Sequence, residues 1–406
     1  MRPRSTLFVL AALLSSAGGR ADGQIPASWP TYQGNPRHSG YVPATFDVTR
    51  FALRWSVPLS TLPVHQVAAG EHRVFASVST YHADVTALFA VDTASGSLLW
   101  SKSFGPVSRV NPPALAGNAV YLQTGKSTGS IPPLLRAFDA ASGDFLFQQQ
   151  FEAQWESYLA PTIDGGVVYA NGGYYGGMYA FDASSPLTLW FLPLNQYDEW
   201  TPALDPLYAY AYTGEYSPRL SIVDRLTGIE VRSIPDPGFS WNGWSMDLAP
   251  ALGDHDDVLA IQGERLISFD LATDSIRYEI GPAFFTGQVA VAHDLIFAIH
   301  AGALTVWDEL TGRFRWSWAT QEPLIDAMIV TDRQVVARTA DTTYLIDLAS
   351  HQAVWSYPAS GRLAWCDDTL FLAGDDGWLT AIDAPAALFA DGFETGDTGR
   401  WSAAVP

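Results

Sequence analysis
Between residues 51 and 388 the chain alternates short runs of β-branched, aromatic and small apolar residues with polar turns rich in Gly, Asp and Asn. Apolar runs this short, bounded by turn residues, predict strands rather than helices. Two patterns recur in step. One is a hairpin, as in HQVAAGEHRVFAS (65–77) and RLAWCDDTLFLAG (362–374). The other is FAVDTASGSLLW (89–100), which returns as RAFDAASGDFLF (136–147), YAFDASSPLTLW (179–190), SIVDRLTGIEV (221–231), ISFDLATDSIRY (267–278), TVWDELTGRFRW (305–316) and YLIDLASHQAVW (344–355), with a shortened TAIDAPAAL at 380–388. The aspartates fall at 92, 139, 182, 224, 270, 308, 347 and 383, spaced 36 to 47 residues apart. That spacing is the period of one propeller blade. Each unit reads as strand A, a turn, strand B, a Gly-rich turn, strand C ending at the Asp, a tight turn, and strand D.

The chemistry of the last turn explains its residues. An Asp opening a tight connection accepts hydrogen bonds from backbone N–H groups just beyond it, and a Gly four positions later takes positive φ without a Cβ clash. Gly stands there at 96, 143, 228 and 312. The aromatic eight positions after the Asp (Trp100, Phe147, Trp190, Tyr278, Trp316, Trp355) is large enough to wedge between neighbouring blades. The eighth Asp has no such aromatic, whereas FALRWSVPLS (51–60) looks like a strand D without its own A, B and C. If it pairs with the strand ending at Asp383, no sheet edge is left open at the junction. The expected fold is all-β, an eight-bladed β-propeller of four-stranded antiparallel blades, closed by the N-terminal strand pairing with the C-terminal blade.

Composition narrows the setting. Hydrophobic residues make up 48% and charged residues 16% of 406, which excludes a disordered chain. The start, MRPRSTLFVLAALLSSAGGRA, has Arg2 and Arg4 before an apolar run too short to span a bilayer, the form of a signal peptide over 1–21. Residues 22–50 then form a lead-in arm, 51–388 the propeller and 389–406 a tail. No later stretch is apolar enough to span a membrane. The formal net charge is −20, and loss of Arg2, Arg4 and Arg20 with the signal makes it more negative. Such a surface repels phosphates, so nucleic acid is not expected as a partner. The one cysteine, Cys366, cannot form an internal disulfide and is expected to be buried.

The repeated pattern of an apolar residue, Asp, two residues, Ser or Thr, Gly, three residues and Trp resembles the tryptophan-docking repeat of PQQ-like propellers. WPTYQGNPRHSG (29–40) is similar to the start of many secreted members. The resemblance covers residues 29–388 and implies either a quinoprotein dehydrogenase or a non-enzymatic outer-membrane assembly factor of the BamB type. In the family the enzymes hold their quinone between a Trp and an adjacent-cysteine disulfide, with Ca²⁺ on carboxylate and amide oxygens. A single cysteine makes that disulfide impossible, so PQQ and calcium belong only to the alternative reading, with Glu156, Glu199, Asn242 and Asp247 as the oxygen donors. The expectation is no cofactor, no metal and no catalytic residue. The tail LFADGFETGDTGRWSAAVP resembles a terminal signature of secreted Gram-negative proteins and implies export or surface sorting.

In a propeller the D-to-A and B-to-C loops share one face, and the D-to-A loops lie nearest the channel. Here those loops carry Trp155, Glu156, Tyr158, Glu199, Trp200, Trp241, Trp244, Asp247 and Phe285, and the B-to-C turn NGGYYGG adds Tyr174 and Tyr175. Aromatic faces interspersed with carboxylates suit a saccharide, a peptide or a cationic protein surface. The competing reading is that these aromatics only plug the channel and cover blade edges. Other apparent motifs fail: GKSTG (125–129) has Val120 where a phosphate loop needs Gly, the eight His show no zinc spacing, GDHDD (253–257) falls on a turn, and no G-x-S-x-G elbow is present. The function expected is a secreted, monomeric binding or scaffolding module, periplasmic or at the cell surface, for an envelope or extracellular protein, peptide or saccharide.

Overall fold
The computed structural model describes residues 27–80, 86–126, 131–154, 156–195, 199–213, 217–239 and 249–387. Eight antiparallel four-stranded units follow one another around a ring, with strand A innermost. Blade 1 is Ala68–Gly70, Arg73–Val78, Ala87–Asp92 and Leu98–Ser103, and blades 2 to 7 repeat this order. In blade 8 the strands Arg362–Cys366, Thr369–Ala373 and Trp378–Asp383 are joined by Ala52–Pro58, which pairs antiparallel with Trp378–Asp383. The ring therefore closes as expected, and Trp55 sits opposite Ala381.

The recurring motif behaves as a joint between blades. Asp92 accepts hydrogen bonds from the backbone N and Oγ of Ser95, both at 2.7 Å, and these bonds hold its carboxyl below the usual range. Gly96 has φ +72°, and a Cβ there would lie 2.8 Å from the ring of Trp55 in the preceding blade. The Trp55 Nε1 donates to the Thr93 carbonyl at 2.9 Å. The same contact recurs as Trp100 on Gly143 and Trp190 on Gly228, with Nε1 donating to Ala140 and Arg225 carbonyls. Where blade 7 has His351 instead of Gly, φ is +55° and the imidazole stacks on Trp316 at 4.3 Å. Every C–D pair also shifts register two residues before its Asp, at Ala90/Val91 in blade 1 and at the matching place in the others. A bulge at that point adds local twist and swings strand D outward, so the wedge reaches its neighbour.

The lead-in arm lies inside the ring. Ser28–Trp29 pairs with strand A of blade 1. The Pro30 carbonyl then accepts from Leu115 N of blade 2, and Thr31 Oγ1 donates to the Pro161 carbonyl beside blade 3. Carbonyls of Pro36, Arg37, Ser39 and Gly40 accept from Leu204, Leu252, Val291 and Val330 of blades 4, 5, 6 and 7. Phe46 bridges to Ala386 beyond blade 8. The arm thus bonds to each blade in turn, close to the A–B turns, and buries Trp29, Tyr32, Gln33 and His38. His38 is fully enclosed, with Nδ1 2.9 Å from the Pro250 carbonyl and Nε2 2.9 Å from Thr162 Oγ1. Burial pushes its pKa down to about 4, so the ring is neutral, with Nδ1–H donating and Nε2 accepting. Cys366 is buried in blade 8. Among the described residues no helix is long and apolar enough to cross a membrane.

Candidate functional site
With the A–B side of the channel filled by the arm, the space that remains opens toward the D-to-A loops. It is a cavity of about 480 Å³ lined by D-to-A loop and inner-strand residues of blades 1, 2, 3, 4, 6, 7 and 8, with Ser79 and Thr80 from the B-to-C turn of blade 1. Tyr32 of the arm and Gln288 contribute to its lining, with the Tyr32 hydroxyl 3.5 Å from Gln288 Oε1. Burial, followed by the charges of Asp326 and Glu199, pushes the Tyr32 pKa far up, so its hydroxyl keeps its proton.

The cavity lining carries charges of both signs. His65, Arg109 and Arg362 come from blades 1, 2 and 8, which are consecutive around the ring. His65 Nε2 is 3.0 Å from the Ser79 carbonyl. Burial first, and the nearby guanidinium groups of Arg362 and Arg109 next, lower its pKa to about 4. Of the acidic residues, Glu199 comes from blade 4 and Asp326 from blade 7, the neighbour of blade 8. Their proximity to the Tyr32 hydroxyl is what adds to its raised pKa.

Most of these charges are already matched. Arg338, 2% exposed, pairs with Asp326 and lies 3.8 Å from Asp375, which also takes Arg362 at 2.7 Å. Two charges in the lining are left over. Among the described residues no carboxylate lies within ion-pair reach of Arg109, whose Nε is buried without a hydrogen-bond partner. Glu199 accepts from Ser157 Oγ at 2.5 Å and has no cation within ion-pair reach among the described residues.

The residues expected from sequence take different places. Glu199 and Tyr158 line the cavity. Glu156 is buried between blades 2 and 3, where its carboxylate accepts from Ser108 Oγ and from Lys126 N at 2.9 Å. Trp200, expected on the rim, is 2% exposed and packs in the core of blades 3, 4 and 5. Phe285 is also buried, against His300 and Trp307, whereas its neighbour Phe284 is exposed. Phe285 opens the inner strand of blade 6, whose pleat turns it inward, whereas Trp200 precedes the inner strand of blade 4. Tyr174 and Tyr175 stand open to solvent as an edge-to-face pair at 4.8 Å. Trp155, Trp241, Trp244 and Asp247, with Asn242 of the alternative calcium set, lie outside the described residues.

His65, Arg109, Arg362 and Asp326 were not singled out from sequence. A signal existed, since each stands in or just before strand A of its repeat, the position that Tyr158 and Glu199 occupy in theirs. Aromatic richness drew attention to blades 3 to 6, and the basic residues lie in blades 1, 2 and 8.

Comparison with known proteins agrees with this architecture. A family model described as outer membrane protein assembly factor BamB matches residues 39–131, 127–317 and 243–386. No curated protein matches the chain. Among solved structures, BamB from Moraxella catarrhalis superposes with a TM-score of 0.63 at 16% identity, covering 82% of this chain and 99% of that one. A quinohemoprotein alcohol dehydrogenase from Comamonas testosteroni gives 0.70 at 14% identity, covering 92% and 83%. A europium-containing methanol dehydrogenase gives 0.69 at 11% identity, covering 88% and 98%. At these identities the likeness is one of fold, shared by an assembly factor and by enzymes alike.

Proposed function
The chain belongs to the family of the outer membrane protein assembly factor BamB, and from that premise we propose that it is an exported, non-catalytic propeller that binds or scaffolds a partner in the cell envelope or outside the cell. The observation that carries this reading is the one-sided channel. The arm occupies the A–B side of the channel, and the cavity that remains in the channel opens on the D-to-A face with a chemically mixed lining. Around it Tyr174 and Tyr175 are free of the core and available to a partner. Export rests on the leader-like start and location on the family. A scaffold of this kind needs no activated nucleophile, and its specificity resides in loops held by a rigid ring.

Affinity capture from envelope extracts tests the reading. Wild-type protein should retain a discrete partner, and the double variants Y174A/Y175A and W241A/W244A should lose it while keeping the wild-type melting temperature. Capture that is equal for wild type and variants removes the D-to-A face from the proposal. The enzyme reading has one observation in its favour, the fold shared with two dehydrogenases. The single cysteine stands against it, because the family's disulfide under the quinone cannot form. Reconstitution with PQQ and Ca²⁺ followed by reduction of an artificial-acceptor dye separates the two, with no turnover expected.

A further inference from the structure
The lining of the central cavity carries one unmatched charge of each sign, and that pair identifies a class of ligand. Once Asp326 and Asp375 are set against Arg338 and Arg362, one cation and one anion in the lining remain unmatched. The cation is Arg109 on blade 2, with its Nε buried and unpartnered. The anion is Glu199 on blade 4. Blade 3 stands between them and contributes Ser157 and Tyr158 to the wall, and no ion pair joins the two across the space. Both residues are half-buried, and a ligand that covers them has to supply the opposite charge to each, since a charge removed from water without a partner is costly. Two opposite charges held apart in one recess are therefore each matched by a ligand that carries both signs.

We propose that this cavity receives a short zwitterionic peptide, a dipeptide or tripeptide with free ends, whose carboxylate meets Arg109 and whose ammonium meets Glu199. A guanidinium takes a carboxylate through two parallel hydrogen bonds. An extended residue spans about 3.4 Å, so the free ends of a dipeptide or tripeptide stand farther apart than the reach of a direct ion pair. A cavity of about 480 Å³ has room for such a ligand and a few waters. The arm closes the channel beyond Tyr32, so a longer chain enters by one end only and cannot thread through. This inference rests on the reading of the D-to-A face as a binding surface and names what its centre recognises.

Titration calorimetry on the full chain with dialanine and trialanine tests it, beside the N-acetylated and the C-amidated forms of each. Saturable binding of a free peptide is expected, with a loss of roughly tenfold or more on capping either end. R109Q should abolish the discrimination against the amidated form, and E199Q the discrimination against the acetylated form, each at an unchanged melting temperature. Binding that is insensitive to both caps, or no binding of either free peptide up to about 10 mM, overturns the zwitterion site. If that happens while Y174A/Y175A still loses the captured partner, the binding-module reading survives and only the peptide assignment fails. If capture and peptide binding both fail, both readings fall.

Discussion
Gly228 shows how much one position can carry. Its φ is +71°, and a Cβ there would meet the Trp190 ring at 2.5 Å. A β-branched residue therefore has to pay twice, once in backbone strain and once by displacing the wedge between blades 3 and 4. G228V is expected to lose about 2–4 kcal/mol, read as an earlier urea midpoint, whereas the exposed change L226S two residues away should be near neutral. A second residue-scale effect involves Glu309 and Asp257, both buried between blades 5 and 6. Glu309 Oε1 accepts from His255 N at 2.9 Å and from Asp254 N, and Asp257 Oδ2 accepts from Ser268 Oγ at 2.6 Å. The remaining oxygens, Glu309 Oε2 and Asp257 Oδ1, have no other donor, and Arg277 is the basic group nearby, 3.6 Å from Asp257.

A proton kept on Glu309 spares the site a second buried negative charge. Burial, reinforced by the Asp257 charge, raises the Glu309 pKa to about 8, while His255 and Asp254 backbone groups pull the other way. An unfolded Glu releases its proton near 4.5 and the folded one near 8, so between these values the folded state holds more protons. Stability should therefore fall as pH rises through that window. E309Q keeps the shape, supplies a donor to Asp257 and should flatten the slope, as measured by melting temperature at a series of pH values.

The arm is the element with the most to explain. Its sequence, WPTYQGNPRHSG, has no strand periodicity and offers no apolar face of its own. Its backbone groups are instead satisfied one blade at a time by the inner strands, so its conformation is a product of the ring. His38 ties it at mid-length, and H38A would leave the Pro250 carbonyl without its donor and the Thr162 hydroxyl with only Thr201 Oγ1, at 3.0 Å, in a sealed site. A loss of about 2–4 kcal/mol is expected, with faster proteolysis in the arm. By contrast, the eight A-to-D units were readable from repetition alone. Their pleat was readable only in part: Trp200 and Phe285 face inward because their neighbours in the folded ring cover them. Nor did the bulge before each Asp leave a compositional mark, since any residue can occupy it.

At the scale of the whole molecule the decisive contact is the closure of blade 8. Trp55 packs on blade 1 through Gly96 and Thr93, and Arg54 pairs with Asp383 and with Asp368 at 2.9 Å. W55A is expected to cost about 3–5 kcal/mol and to expose the seam between blades 8 and 1 to protease, giving a first cut near residue 50. A truncation of the wedge between interior blades, such as W100A, should lower stability without that cleavage pattern.

The sequence by itself determined what repeats. A period of 36 to 47 residues and an Asp that closes a turn recur eight times, with a Gly free to take positive φ in four copies and an aromatic at a constant offset in six, and this repeated local chemistry specifies the ring. An incomplete last copy and an orphan strand at residues 51–60 specified its closure. Tertiary structure alone decided where the arm goes and which charges remain unmatched around the channel. Arg109 and Glu199 are separated by 90 positions in sequence, and whether each has a partner depends on which side chains the ring brings within a few ångströms. Ion pairing is a property of distance in space, and no pattern along the chain encodes it.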